Sequence, residues 1–146
     1  MGVASLGALQ LLGQFEALRE CLASTAPRWA PMKGGYNKCM LACYPRGSRY
    51  VRHRDVSPLC PERVATAIVY LNHEWAGGDG GEVRLFPDST DAADDGHSSS
   101  VLVAPTLGRL VVFDSRTEHE VRHPSRTLHT LFALKTLLGI NFPPFS

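Results

Sequence analysis

The chain has no charge excess of either sign: its 146 residues carry 15 Lys and Arg against 14 Asp and Glu, a formal charge of +1. An extended phosphate-binding face needs a clustered surplus of cations, so no nucleic-acid partner is expected. No apolar run is long enough to cross a bilayer. The stretch Met1 to Phe15 contains no Lys or Arg, so a secretory leader would lack its basic start. Gly2 suits myristoylation, yet Leu6 stands where that motif needs Ser or Thr. No membrane association is expected. The four cysteines, Cys21, Cys39, Cys43 and Cys60, form no CxxC pair, which favours reduced thiols over a disulfide framework. Cys39 and Cys43 can share one strand face, which is too little for a zinc site. Internal repeats are absent. These features predict a soluble protein of the cytoplasm or nucleus, a single domain over residues 1–146.

What is present begins with a helix. Ser5 is placed to cap a segment running to Ala23, with Leu11, Phe15, Leu18 and Leu22 on one apolar stripe. Gly7 and Gly13 weaken it by about 1 kcal/mol each, so the stripe needs a sheet to lie against. Pro27 and Pro31 close the segment, and a linker through Gly34 and Gly35 follows.

The periodicity then changes. Short runs rich in Val, Leu, Ile and Tyr predict strands at residues 37–44, 50–55, 63–72, 82–86, 100–104, 109–114, 119–122 and 127–134. Eight short strands after one helix suit a mainly β fold. The expected architecture is a jelly roll (double-stranded β-helix) with one N-terminal supporting helix. Residues 36–135 would form the core and residues 136–146, with Pro143 and Pro144, an irregular tail. Asp88 to Ser99 is acidic and small, a solvated loop with His97 as its only ring.

The sharpest motif is Tyr50-Val-Arg-His-Arg-Asp55. On a strand, His53 and Asp55 leave the same face and can grip one divalent ion together. His119, just after the apolar strand ending at Asp114, is the natural third ligand. Two histidines and a carboxylate form the facial triad of non-haem Fe(II) oxygenases, leaving three metal positions open. HxD alone is weak, because a His and an Asp on a solvated strand face give the same pattern. His123 is a weaker substitute for His119. His73 is read as a loop or rim residue, and His129 only flanks the region after His119.

Several stretches carry a resemblance. They are Lys38-Cys-Met-Leu-Ala-Cys-Tyr-Pro45, Tyr50-Val-Arg-His-Arg-Asp55, Ala67-Ile-Val-Tyr-Leu-Asn72 followed by Trp75, Gly80-Gly-Glu-Val-Arg-Leu-Phe-Pro87, Gly108-Arg-Leu-Val-Val-Phe-Asp-Ser115 and His119-Glu-Val121. In this order, over roughly residues 36–132, they resemble the catalytic domain of the 2-oxoglutarate- and Fe(II)-dependent oxygenases. Within these the likeness is to prolyl hydroxylases of the hypoxia-inducible-factor type, which are linked to oxygen sensing. The resemblance implies Fe(II) held by His53, Asp55 and His119, with 2-oxoglutarate as co-substrate and ascorbate supporting activity. It implies that Arg126 holds the distal carboxylate of 2-oxoglutarate, with Lys135 as runner-up. A guanidinium fork suits that carboxylate. Tyr44, Tyr70 and Tyr50 would line the co-substrate pocket, Tyr70 donating its hydroxyl, and Met40 and Val121 would complete an apolar lining. The implied partners are dioxygen and a protein or peptide with an accessible proline.

The pattern also departs from the family. Little precedes the Ala-Cys-Tyr-Pro segment, Phe132 replaces a tryptophan, and Leu128 and His129 replace a small and an apolar residue. A barrel without its flanking helices leaves apolar sheet surface for a partner to cover. The alternative reading is a catalytically silent jelly-roll module that binds proteins. A cupin-like metal enzyme without 2-oxoglutarate would carry a richer His cluster.

Overall fold

Residues 63–70 read Arg-Val-Ala-Thr-Ala-Ile-Val-Tyr, and only a strand covered on both faces tolerates so continuous an apolar run. A computed structural model, describing residues 3–33, 36–45, 47–87, 100–123 and 130–139, places this strand between two layers. Ala65 and Ala67, with no exposed surface, pack outward against a helix. Ile68 and Tyr70 pack inward against a second sheet.

The elements are helix α1 (Val3–Thr25), a short 3-10 helix (Pro27–Met32), and strands β1 (Tyr36–Pro45), β2 (Tyr50–His53), β3 (Arg63–Tyr70), β4 (Val83–Phe86), β5 (Val101–Val103), β6 (Leu110–Asp114), β7 (Glu118–Val121) and β8 (Thr130–Gly139). One sheet has the order β1-β8-β3-β6 and the other β2-β7-β4-β5. Every neighbouring pair is antiparallel. The expected jelly roll with one N-terminal helix is the fold found.

Four local readings change. The helix starts at Val3, so Ser5 lies inside it and does not cap it. The prolines do not simply close the helix, because Pro27 starts a 3-10 turn that buries Trp29 and Met32. Arg19, 1% exposed, fastens that turn by donating to the Met32 carbonyl while pairing with Glu16 and Glu20. Strand β8 runs to Gly139, overturning the irregular tail from residue 136, because it pairs with β1 and β3 over that length. Strand β2 ends two residues early, with consequences for the site.

Leu11, Leu18 and Leu22 pack around buried Phe15, Ala23 and Leu138, so the predicted stripe faces the sheet. Between the sheets lie Ile68, Tyr70, Val83, Phe113 and Ala133. Apolar side chains stay exposed at Met40 and Leu41 on β1, and most of all at Leu59. Among the described residues no helix is long and apolar enough to cross a membrane, and all four cysteines are free.

Candidate metal centre

Antiparallel pairing sets His53, the last residue of β2, directly opposite His119 on β7. Their rings lie 4.2 Å apart, centroid to centroid. Facing cross-strand residues are the closest neighbours a sheet offers. Asp55 is not on the strand as expected. The chain bends after His53, and the amides of Asp55 and Val56 donate to the Ser115 carbonyl at 3.0 and 3.2 Å. The Arg63 guanidinium caps the Asp55 carbonyl at 2.8 Å. This bend, rather than strand alternation, turns the carboxylate towards the two imidazoles.

Both histidines are oriented alike. His53 Nδ1 lies 2.9 Å from the Val51 carbonyl and His119 Nδ1 lies 3.0 Å from the Thr117 carbonyl. A carbonyl only accepts, so each Nδ1 carries the proton and each Nε2 presents a lone pair. Both Nε2 atoms are buried without a hydrogen-bond partner. Each faces a carboxylate oxygen of Asp55 at 3.5 Å, His53 on Oδ1 and His119 on Oδ2. One donor atom from each residue lies within 4.8 Å of the others. Lone pairs aimed together at a buried point, with no proton between them, fit a divalent cation.

Further groups hold Asp55 in place. Its Oδ2 accepts from Thr66 Oγ1 at 2.6 Å, and Thr66 Oγ1 lies 3.1 Å from Ser115 Oγ. Its Oδ1 accepts from Lys135 Nζ at 2.7 Å. Burial would raise the Asp55 pKa, but the Lys135 ammonium and the Thr66 hydroxyl hold it well below the usual carboxylate range. Burial pushes the His119 imidazole down to about 4, against the Thr117 carbonyl and Asp55. Both ligands are therefore in their metal-binding protonation states at neutral pH.

One pH dependence follows. An unfolded histidine takes up its proton near pH 6.5, whereas folded His119 resists until about 4. Acidification through that window favours the unfolded chain, so the metal-free protein should lose about 3 kcal/mol between pH 6.5 and 4. Urea denaturation in chelator should show this slope, and the non-titrating variant His119→Gln should lack most of it. Equal slopes in the two proteins would refute it.

The remaining predicted residues divide. Tyr50 meets His53 at a tilt, ring centroids 4.3 Å apart, and Tyr44 edge-on at 6.5 Å, forming an aromatic wall beside the metal ligands. Tyr70 is 2% exposed, and burial raises the pKa of its hydroxyl and that of Tyr44, keeping both protonated. Val121 pairs with Tyr50 across β2 and β7. Met40 is half exposed and lies opposite Lys135 in the β1–β8 register. Gly80 and Gly81 both have positive φ, 72° and 77°, in the turn where Trp75 Nε1 bonds the Gly80 carbonyl. His123 Nδ1 donates to the Gly47 carbonyl at 3.1 Å, and His123 does not join the triad. Arg126, His97 and His129 lie outside the described residues. An open groove of about 430 Å³, lined by Arg49, Tyr50, Val51 and Val121, adjoins the wall through Tyr50.

Sequence reasoning missed Thr66, Ser115, Phe113 and the position of Lys135. Phe113 backs His119 edge-on at 4.8 Å. Thr66 had a signal, as the one polar side chain between Val64 and Val69 in the apolar run of β3.

The arrangement has known counterparts. Residues 39–133 match the family described as the 2OG-Fe(II) oxygenase superfamily. Human Egl nine homolog 1 is 38% identical over 101 residues, covering 66% of this chain and 22% of that protein. Human prolyl hydroxylase EGLN3 is 39% identical over 99 residues, covering 65% of this chain and 38% of that protein. The chain thus spans well under half the length of the curated relatives it matches. A prolyl-4-hydroxylase from Pseudomonas putida superposes with a TM-score of 0.73 at 29% identity, covering 90% of this chain and 66% of the other. A prolyl hydroxylase from Trichoplax adhaerens, in complex with a hypoxia inducible factor oxygen degradation domain peptide fragment, gives 0.59 at 29% identity, covering 71% and 44%.

Proposed function

Because this chain belongs to the 2OG-Fe(II) oxygenase superfamily, we propose that it hydroxylates a prolyl residue in a protein or peptide. The observation that carries the reading is the convergence of two buried, unpartnered Nε2 atoms on Asp55. Iron bound there with 2-oxoglutarate and dioxygen would supply the oxidising power, one oxygen atom entering a substrate C–H bond and the other the succinate formed with carbon dioxide.

The chain's own residues do the rest. His53, His119 and Asp55 supply two neutral donors and one charge, and leave half of an octahedral shell free. Tyr70, protonated at all working pH values, donates to a carboxylate of the co-substrate. Arg126 takes the distal carboxylate in this reading, on the strength of the sequence resemblance. Tyr44 and Tyr50 wall the pocket and limit water, and the adjoining groove gives an extended peptide access to the metal side of Tyr50. A partner covering the apolar surface at Met40 and Leu41, and residence in the cytoplasm or nucleus, belong to the same proposal. The four free cysteines support a reducing compartment.

The test is an anaerobic titration with Fe(II) and 2-oxoglutarate, following the visible metal-to-ligand charge-transfer band, and then aerobic incubation with proline-containing peptides under labelled dioxygen. A band, together with proline-dependent gain of one labelled oxygen atom, is expected. Folded protein without the band would remove the oxygenase reading in favour of the silent protein-binding module. A band without oxygen transfer to any proline peptide would remove the substrate class alone.

A further inference from the structure

Lys135 places a positive charge on the carboxylate that a metal would have to share. Its ammonium lies 2.7 Å from Asp55 Oδ1, the oxygen that also faces His53 Nε2 at 3.5 Å. Its side chain is 12% exposed and that of Asp55 is 6% exposed, so the pair lies within the barrel. Thr66 already occupies Oδ2. Both carboxylate oxygens are therefore engaged before any cation arrives. A divalent ion gripped by the three ligands must share Asp55 with the lysine or displace it, and two cations on one buried carboxylate repel strongly.

A displaced Lys135 has little freedom. Its strand neighbours in register are Ile68 on β3 and Met40 on β1, both apolar. Among the described residues, the only ion pair it makes is with Asp55. A buried ammonium leaving one carboxylate needs another anion, and a dicarboxylate co-substrate entering the barrel brings one.

We propose that Lys135 neutralises Asp55 in the metal-free protein, opposes metal binding on its own, and passes to a carboxylate of the oxo acid when the metal takes Asp55. The inference rests on the oxygenase reading for the identity of that acid. Its consequence is coupling: each of metal and oxo acid binds better in the presence of the other, and Lys135 carries part of that coupling.

Mn(II) serves as the probe, because its binding is read by the loss of the free-ion electron paramagnetic resonance signal without turnover. Metal affinity is measured with and without 2-oxoglutarate in the full chain, in Lys135→Met and in Lys135→Gln, the second guarding against misfolding of the first. The native chain should bind Mn(II) more tightly when 2-oxoglutarate is present. Both variants should bind Mn(II) alone about tenfold more tightly than the native chain and lose about tenfold of the enhancement by 2-oxoglutarate. Unchanged or weaker binding of Mn(II) alone in the variants would overturn the proposal while leaving the oxygenase reading intact. Failure of the native chain to bind Mn(II) at all would instead remove that reading, and the inference with it.

Discussion

Asp55→Ala is expected to destabilise the metal-free protein by about 3 kcal/mol, and Lys135→Met in the same chain to restore most of that loss. The single substitution removes the only ion-pair partner of Lys135 among the described residues. Breaking a buried pair from one side leaves an uncompensated charge, which typically costs about 3–5 kcal/mol. The lower end applies because Lys135 keeps 12% of its side chain in contact with solvent. The rest of the site should tolerate the change. The Asp55 amide still reaches the Ser115 carbonyl, and Thr66 still has the Ser115 hydroxyl 3.1 Å away. A methionine at 135 would face Ile68 and Met40, so the double variant replaces a charge pair by apolar contact. Urea denaturation in chelator gives both values. Equal stability of the single and double variants would show that Lys135 is not stranded by the loss of Asp55. The same experiment with Mn(II) should show no stabilisation in either, since the charged ligand is gone from both.

That prediction depends on a residue whose role the sequence hid. The strand pattern was legible because short β-branched runs separated by Gly, Pro and Asp turns leave few alternatives, and each of the eight predicted segments overlaps a described strand. The triad was legible because His53, Asp55 and His119 recur in a recognisable order. What was illegible was how they meet. Alternation put Asp55 on β2, yet the strand ends at His53 and a bend held by the Ser115 carbonyl does the aiming. No local propensity marks a backbone hydrogen bond to a residue sixty positions away. The resemblance offers Lys135 only as a runner-up for the co-substrate, and its place beside Asp55 was missed for a simpler reason: ending the last strand at Leu134 cut off the alternation that puts Ala133, Lys135 and Leu137 opposite Tyr70, Ile68 and Thr66. Carried three residues further, the pattern would have put a cation on an inward face, and only a buried anion makes that tolerable.

The two histidines should separate binding from folding. His119→Ala and His53→Ala each remove one of the three ligands, so both should abolish the stabilisation that metal gives the native chain, about 2.7 kcal/mol at a concentration 100 times its Kd. Their effects without metal should differ. His119 is 1% exposed, wedged between Phe113 and His53 at 4.8 and 4.2 Å. Truncation there opens a cavity and breaks two ring contacts, for a loss of about 2–3 kcal/mol. His53 keeps 23% of its side chain exposed at the open end of the site. Its truncation loses the bond to the Val51 carbonyl and one face of Tyr50, worth about 1 kcal/mol. Thermal melts in chelator and in Mn(II) measure all four quantities. A metal-dependent shift that survived in His53→Ala would remove His53 from the ligand set, and the site would then be a two-ligand surface clip too weak for redox chemistry. Loss of the shift in both, with the larger fold penalty in His119→Ala, is the pattern a buried facial triad requires: the inner ligand is also a core residue, while the outer one adds little to the fold.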